Sequence, residues 1–333
     1  MSLYRPVKIG SLELPGNLFL APVAGYTDRS FRSLCAEEGA VFSFTELVSA
    51  EALSRKSDRY VLDGVSANLV RRGENEKRYA VQLFGGESEA VYKAAVLLAS
   101  LRPDALDINA GCPVSKVVKN GAGSALMKNP ANLGRIAEAA VRASAESLGN
   151  VPVTIKIRSG WDSKSINYYE CARIAVEAGV SMVTLHPRTR AQNYGGKSDW
   201  SHIADLTSRL NVPVTGSGDL YTPEDAQQML KETGCAAIMF ARGAMGNPFI
   251  FSATHSLLHK GSWEPSLFSA RITAAMRHLE MLAADIGERT ACLEMRKQFC
   301  AYTKGMTCGA ALREKAVHAE TIEEYRQITA DFL

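Results

Sequence analysis

Short apolar runs alternate with helical patterns along the first three quarters of the chain. Each run is five to seven residues long, which is typical of a buried strand. The stretches between them, such as ESEAVYKAAVLLASL (87–101) and TPEDAQQMLKETG (222–234), repeat apolar residues at intervals of three and four, as helices do. The predicted strands are LFLAP (18–22), VFSFTE (41–46), AVQLFG (80–85), ALDIN (105–109), VPVTIKI (151–157), SMVTLH (181–186), VPVTGSG (212–218) and AAIMFA (236–241).

A strand followed by a helix, repeated eight times, predicts an α/β fold of the closed parallel kind, the (β/α)8 TIM barrel. An open doubly wound sheet is the alternative, but such a nucleotide-binding sheet carries a G-x-G-x-x-G turn after its first strand. The corresponding turn here is APVAGYTD (21–28). The pattern therefore favours the barrel, whose active sites lie at the C-terminal ends of the strands.

The pattern changes in the last quarter of the chain, where only helical periodicity remains. The clearest stretches are ARITAAMRHLEMLAADIG (270–287), ACLEMRKQFCAYTKGM (291–306) and ETIEEYRQITADFL (320–333). We therefore predict two domains, a catalytic barrel over residues 1–254 and a small all-helical C-terminal domain over residues 255–333.

Composition is consistent with this organisation and narrows the environment. The 333 residues are 46% hydrophobic and carry a formal charge of +3, which is too small to mark a nucleic-acid binder by itself. The seven cysteines are odd in number and contain no CxxC pair, so we expect neither a disulfide framework nor a zinc site. We find neither a charged leader nor an apolar stretch of about 18 residues, and we expect a cytoplasmic protein without a membrane partner.

Polar side chains stand at the predicted strand ends. Lys156 and Arg158 are two residues apart on one strand, so they share a face, and two cations inside a barrel are costly unless an anion lies between them. His186 ends the next strand, and Gln82 and Asn109 end two earlier ones. This ring of donors suits a planar heteroaromatic ligand with carbonyl oxygens. The alternative is a Lys and an Arg that extend to solvent from a strand end.

Small residues follow the last two strands, in GSGDL (216–220) and ARGAMGNP (241–248). Phosphate sites in barrels frequently lie in the loops after strands seven and eight, where a helix N-terminus favours an anion. Together with the ring of donors, a phosphate site at this position suggests FMN.

Cys112 lies in DINAGCPVSKVVKNGAGSALM (107–127), directly after a predicted strand. A buried inert thiol is the commonest state of a free cysteine, and we expect it for Cys35, Cys171 and Cys235. A metal role for Cys112 lacks partner ligands at a suitable spacing. A proton donor or nucleophile that faces the flavin is the better hypothesis.

Eight motifs follow one another along the chain: APVAGYTDRSFR, TELVSA, VQLFG, DINAGCPVSKVVKNGAGSALM, VTIKIRSGWD, HPRTRAQNYGGKSDW, GSGDL and ARGAMGNPFIF. In this order they resemble the tRNA-dihydrouridine synthases over almost the whole chain. The C-terminal RKQFCAYTKGM and ALREK are most similar to the bacterial B-type branch.

The resemblance implies an oxidoreductase that uses NADPH to reduce FMN and then reduces the C5–C6 double bond of uridine in tRNA. Cys112 would be the general acid, and Asn109, Arg158 and Arg188 would contact the substrate. Which uridine is reduced would depend on how the helical domain orients the tRNA. The residues implied to bind FMN are Pro22, Val23, Ala24, Gln82, Lys156, His186, Ser217, Gly218, Asp219, Ala241 and Arg242.

Three positions depart from the family pattern, which usually has Met, Asn and Gly where this chain has Val23, Ser217 and Ala241. Ser217 keeps a hydroxyl in place of an amide, and Ala241 still offers its backbone N–H. We therefore expect an altered flavin affinity and not a loss of binding.

The distribution of charge supports an RNA partner better than the net charge does. Residues 288–315 hold six basic and three acidic side chains, although a solvated helix face also carries mixed charges. Arg55, Lys56 and Arg59 form an alternative RNA surface. The side chains predicted to bind tRNA, which we call the helical-domain cations, are Arg296, Lys297, Lys304 and Arg313.

Three other functions remain open on residue patterns alone. An FMN barrel that acts on a free pyrimidine, like a dihydroorotate dehydrogenase, can also place a cysteine near its flavin, but the basic helical tail argues against it. A flavin-free lyase would use Lys156 as a Schiff base, and the flavin spectrum of the purified protein separates it from a flavin-dependent barrel. A non-catalytic RNA-binding protein would not need Cys112 or the ring of donors. No obligate protein partner is evident from the sequence.

Overall fold

The computed structural model describes residues 2–56, 67–307 and 309–332; Arg59 lies outside this part of the chain. Eight parallel strands close into a barrel, because the first and last strands of the run each pair with a neighbour on both sides. The barrel strands are β3 Leu18–Leu20, β4 Phe42–Phe44, β6 Tyr79–Phe84, β7 Ala105–Ala110, β8 Val153–Gly160, β9 Met182–Thr189, β10 Val214–Ser217 and β11 Ala237–Phe240. The predicted TIM barrel is confirmed, and every predicted strand is present.

An antiparallel hairpin of β1 (Val7–Ile9) and β2 (Leu12–Leu14), not predicted from the sequence, precedes the barrel. Its alternate residues are buried and pack with apolar residues that point into the barrel, among them Phe19 and Phe42. Gly10 supplies the left-handed backbone of the turn with φ of 55°. The hairpin therefore adds apolar residues to the core inside the barrel. A two-residue strand, β5 (Val48–Ser49), pairs with β6.

Helices follow the strands and cover the barrel. The sequence places caps at their ends: Thr222 and Asp225 form a capping box at the start of one helix, and Gly234 ends it with φ of 65°. The helices around the barrel are α1 Arg29–Glu37, α2 Ala50–Leu53, α3 Ala67–Val70, α4 Ser88–Leu97, α5 Ser115–Val118, α6 Pro130–Ser147, α7 Tyr168–Glu177, α8 Ser201–Arg209, α9 Pro223–Thr233 and α10 Ile250–Lys260. Short 3-10 segments span Leu98–Leu101, Gly123–Lys128 and Ala330–Phe332.

The C-terminal helices pack on one side of the barrel, where α11 contacts α1. Helix α10 packs on α9 and completes the eighth strand-helix unit. The predicted domain boundary at residue 254 therefore falls inside α10, and the helical segment begins after Lys260. Its helices are α11 Phe268–Ile286, α12 Glu288–Tyr302, α13 Gly309–Ala316 and α14 Ile322–Thr329.

Hydrogen bonds join the helical segment to the loop that follows β3. The buried amide of Gln298 donates to the carbonyl oxygens of Gly25 (3.3 Å) and Tyr26 (3.2 Å) and to Asp28 (3.2 Å). Buried His278 contacts both carboxylate oxygens of Asp28 at 3.1 Å. The loop that carries Pro22, Val23 and Ala24 is therefore held from the helical side, a contact that the sequence did not predict.

Candidate active site

A cavity of 460 Å³ opens among the C-terminal ends of the barrel strands, within the range of about 300–1,000 Å³ that small-molecule sites occupy. Gln82 and Arg188 do not line it. Leu47, Pro113, Val114, Tyr194 and Tyr221 line it but were not predicted. The predicted residues that line it are Pro22, Val23, Ala24, Asn109, Cys112, Lys156, Arg158, His186, Ser217, Gly218, Asp219, Ala241 and Arg242.

Cys112 lies half-buried on the cavity wall, two residues beyond the end of β7. The side-chain oxygen of Asn109 accepts its backbone N–H at 2.9 Å, and its carbonyl oxygen accepts the N–H of Ser124 at 3.0 Å. Gly123, with φ of 60°, packs so close that a Cβ there would lie 2.8 Å from the Cys112 oxygen. Burial raises the pKa of the Cys112 thiol above its ordinary value, so the thiol stays protonated at neutral pH.

A chain of three buried polar side chains lies beneath Cys112; we call Asp107, Gln82 and Asn109 the polar chain. Gln82 donates its amide N–H to Asp107 at 2.6 Å and accepts one from Asn109 at 2.8 Å. Gln82 is fully buried, so it lies under the cavity wall and its amide is already engaged. Burial raises the pKa of Asp107 to about 6. Asp107 was not among the predicted site residues, because a carboxylate within a strand has no distinctive sequence pattern.

Lys156 is a cation of the donor ring that lines the cavity. It pairs in register with Asn109 of β7, and Arg158 pairs with His186 of β9. Burial, with the positive charge of Arg158, lowers the pKa of Lys156 to about 8. Among the described residues no group accepts a hydrogen bond from its ammonium. Lys156 is therefore a half-buried donor that faces the cavity, with no acceptor in the part of the chain that the structure describes.

His186 is a neutral imidazole on the cavity wall. Burial and the surrounding cations hold its pKa well below the ordinary range. Its Nε2 lies 3.3 Å from an Arg188 guanidinium nitrogen; since arginine can only donate, Nε2 is the acceptor and Nδ1 carries the proton. His186 can therefore donate a hydrogen bond through Nδ1 but cannot serve as a cation at neutral pH.

Arg188 is buried behind the wall and bound to protein groups. It pairs with Asp219 at 2.7 Å and donates to Ser198 at 2.7 Å. Asp219 also accepts from Arg242 at 3.3 Å and from the backbone N–H of Ser198 at 2.8 Å. Through these contacts Arg188 holds the side chains of Asp219 and His186 in position.

Arg158 lines the cavity, but its guanidinium is largely engaged. It donates to the carbonyl oxygens of Gly111 (2.8 Å), Thr189 (3.0 Å) and Asn193 (2.8 Å). The exposed Tyr194 ring lies 5.8 Å from this guanidinium and 4.8 Å from that of Arg242. Tyr194 thus brings an aromatic face to the cavity, flanked by two cations.

The loops after β10 and β11 present small residues side by side. A Cβ at Gly218, where φ is 114°, would lie 2.5 Å from Ser198 Oγ and 2.9 Å from His186 Cδ2. A Cβ at Gly243 would lie 2.2 Å from the carbonyl oxygen of Leu220. Only glycine fits at these two positions, so the backbone of both loops approaches closely at the point where a barrel phosphate site is expected.

Two cations at the barrel rim share one aromatic ring; we call Lys128 and Arg190 the rim pair. Each lies 4.7 Å from the centre of the Trp161 ring. Neither forms an ion pair with a carboxylate of the described residues. This pair was not predicted from the sequence, because the two side chains are far apart along the chain.

The helical-domain cations differ in their availability. Arg296 and Arg313 are half-buried and donate to the carbonyl oxygens of Ala319 (3.4 Å) and Thr303 (3.2 Å). Lys297 forms an ion pair with Glu294, whereas Lys304 is exposed. Arg55 and Lys56 are exposed at the end of the described range 2–56.

Comparisons with known proteins agree on one family. The family model described as Dihydrouridine synthase (Dus) matches residues 19–332. The chain is 45% identical to a "Probable tRNA-dihydrouridine synthase" of Treponema pallidum, over 99% of this chain and 97% of that protein. It is 37% identical to "tRNA-dihydrouridine synthase B" of Pseudomonas aeruginosa, over 85% of this chain and 82% of that protein.

Solved structures resemble the fold at low identity. An old yellow enzyme homologue from Zymomonas mobilis superposes with a TM-score of 0.55 at 12% identity, over 81% of this chain and 96% of that one. Within the described residues, no group of three potential metal ligands is found, and no helix there is long and apolar enough to cross a membrane.

Proposed function

The chain belongs to the dihydrouridine synthase family, an oxidoreductase family, and on that premise we propose that its cavity reduces uridine in tRNA to 5,6-dihydrouridine. We propose FMN as the resident cofactor, NADPH as the reductant and the cytoplasm, where tRNA and NADPH meet, as the location. The observation that carries the proposal is one cavity that holds a protonated thiol, a lysine with no hydrogen-bond acceptor among the described residues, and two glycine-lined loops.

The donors of the cavity fit a flavin. Lys156 and the Nδ1 of His186 are available to hydrogen-bond the carbonyl oxygens and nitrogens of the ring, and a positive charge there tunes its electronics. The backbone of Pro22, Val23 and Ala24 would lie along the ring. The phosphate would be held by the two loops after β10 and β11, through Ser217, Gly218, Asp219, Ala241 and Arg242. Gln82, predicted to bind the ring, would act indirectly from beneath the wall.

The departures from the family pattern are compatible with this fit. The Ser217 hydroxyl donates to the carbonyl oxygen of Met239 at 3.0 Å, so it is engaged with β11 and offers its backbone to a ligand. Ala241 adds a single methyl group on the cavity wall. We expect both to change the flavin affinity without abolishing it.

The reaction needs a proton at C5 of uracil and a hydride at C6. When bound, the flavin supplies the hydride. Cys112 donates its thiol proton to C5, and the resulting thiolate regains a proton from water. The raised pKa of Cys112 supports this role, because an acid must be protonated before the step.

Substrate contacts come from the same wall. Asn109 retains one amide N–H beyond its bond to Gln82, and we propose that this N–H contacts the target uracil, with Arg158 and Tyr194 beside it. The bonds of Arg188 to Asp219 and Ser198 favour an indirect role for Arg188. The target base must leave its stack to enter such a cavity.

The tRNA backbone would contact both parts of the chain. Phosphate neutralisation by Lys and Arg dominates such binding. Lys304 is the exposed member of the helical-domain cations, and Lys297 is half-buried and ion-paired with Glu294. The rim pair lies on the barrel side. We propose that tRNA spans from the helical domain to the barrel rim.

Mapping dihydrouridine in tRNA tests the function. A bacterial strain that lacks its dihydrouridine synthases would receive this chain or its Cys112→Ala variant, and its tRNA would be analysed by mass spectrometry. We expect dihydrouridine with the first and little with the second. If purified protein instead reduces or oxidises free pyrimidines and leaves tRNA unmodified in the strain, the proposed substrate is wrong.

A further inference from the structure

We propose that Asp107 is a positioning residue, which acts through Gln82 and Asn109 to fix the backbone of Cys112 on the cavity wall. The proposal rests on the proposed function for its catalytic consequence. Its structural part, the dependence of the Cys112 position on Asp107, stands on hydrogen bonds alone.

The direction of each hydrogen bond in the polar chain follows from Asp107. An ionised carboxylate only accepts, and a group with a pKa of about 6 is mostly ionised at neutral pH. Gln82 must therefore turn its NH2 toward Asp107, at 2.6 Å. Its amide oxygen then faces the other way and accepts from the NH2 of Asn109 at 2.8 Å.

The orientation of Asn109 is set in turn. With its NH2 directed to Gln82, its oxygen faces the loop and accepts the backbone N–H groups of Gly111 (3.2 Å) and Cys112 (2.9 Å). If either amide were reversed, two donors or two acceptors would face each other. Asp107 therefore determines that the side-chain oxygen of Asn109, and not its nitrogen, faces the backbone N–H of Cys112. Asp107 lies five residues before Cys112 in the chain.

Burial of the polar chain disfavours any other arrangement of its hydrogen bonds. Asp107 is 1% exposed, Gln82 0% and Asn109 7%, so water has little access to replace a lost partner. A buried donor left without an acceptor costs more than an exposed one. The amide of Gln82 would lose its preferred orientation without Asp107, and the N–H of Cys112 would lose a reliable acceptor.

Thr154 provides a matched control. Its hydroxyl, from β8, also hydrogen-bonds Asp107, and it is fully buried. It is not on the path from Asp107 to Cys112. Thr154→Val removes one partner of Asp107 at nearly constant volume and leaves Gln82 and Asn109 with their hydrogen bonds.

Alkylation of Cys112 measures its position without requiring activity. Each protein, saturated with FMN, would be treated with iodoacetamide, and the peptides that contain Cys112 and the half-buried Cys300 would be quantified over time. Cys300 serves as an internal reference, because it lies in the helical segment away from the polar chain.

We expect Asp107→Leu to accelerate labelling of Cys112 about fivefold, the effect of losing one buried hydrogen bond, with Cys300 unchanged. Asp107→Asn, whose oxygen still accepts from Gln82, should restore a rate within about twofold of wild type. Gln82→Met interrupts the same hydrogen-bonded path at a second point, so it should accelerate labelling of Cys112 as much as Asp107→Leu does. It also replaces Asp107→Leu in the experiment if that variant does not fold. The double variant should add little to either single one.

Equal labelling in wild type and both path-breaking variants would overturn the proposal, as would an equal acceleration in Thr154→Val. The catalytic consequence is a slower proton-donating step, seen as slower dihydrouridine formation with an unchanged rate of flavin reduction by NADPH. If labelling responds as expected but wild type forms no dihydrouridine, the proposed function fails while the positioning role stands.

Discussion

Raising the pH from 7 to 9 should weaken the binding of FMN, because Lys156 loses its proton in this interval. Its pKa is lowered to about 8. The ammonium is present below that pH and is lost as the pH rises through it. A ligand that binds the protonated form therefore binds fully below pH 8 and progressively less above it.

The size of the effect follows from the pKa. Lys156 with a pKa of about 8 is about 90% protonated at pH 7 and about 10% protonated at pH 9, so the dissociation constant should rise about tenfold. Other shifted groups of the cavity do not titrate there: the pKa of Asp107 is about 6, and that of Arg158 is about 10. His186 is already neutral, and the Cys112 thiol is still protonated over most of the interval.

Quenching of FMN fluorescence on titration with flavin-free protein measures the affinity at each pH. Lys156→Met should bind more weakly than wild type at pH 7 and show a flat profile between pH 7 and 9. Lys156→Arg, which keeps its charge over the whole interval, is the matched control and should also be flat. A wild-type affinity that does not change between pH 7 and 9, or a Lys156→Met variant that binds as well as wild type, would refute the role of Lys156.

Gly218→Ala should weaken FMN binding about tenfold or more, because the added methyl group would lie 2.5 Å from Ser198 Oγ; the flavin-to-protein ratio after gel filtration checks this, and full retention would contradict it. Arg32→Met should lower the free energy of unfolding by about 3–5 kcal/mol, since Glu76 would stay fully buried without its partner at 2.8 Å. Urea denaturation measures this loss of stability. The loss should be smaller in the double variant Arg32→Met/Glu76→Met, and no loss in Arg32→Met would contradict the burial of the ion pair. Neutralising the helical-domain cations should weaken tRNA binding and reduce its salt slope by up to about four; an unchanged slope would place the RNA contact at the rim pair instead.

The barrel could be predicted from the sequence because its strands and helices each leave a local periodic signal. Positions such as Lys156, Arg158 and His186 could be assigned to the cavity because alternate residues of a strand share a face and barrel sites lie at the strand ends. Cys112 could be assigned to the cavity because it lies two residues beyond the end of a strand.

Pairings between distant residues carried no such signal. Arg188 was predicted to contact the substrate, but its pairing with Asp219, 31 residues away, depends on the packing of two neighbouring strands. The contacts of Gln298 with the loop that follows β3 join residues at least 270 apart. The β1–β2 hairpin does have a sequence pattern, the alternation of apolar and polar residues in VKI and LEL around Gly10. Each run is only three residues long, which is too short to predict a strand.

The rates of the two half-reactions of the Cys112→Ala variant test the central claim most directly, namely that this cavity reduces a uracil ring of tRNA with Cys112 as the proton donor. Stopped-flow absorbance would follow flavin reduction by NADPH and then flavin reoxidation by unmodified tRNA, with dihydrouridine quantified by mass spectrometry. We predict flavin reduction at a near wild-type rate and reoxidation by tRNA about a hundredfold slower or more. Reoxidation of the variant by tRNA at the wild-type rate, with a normal yield of dihydrouridine, would contradict the claim.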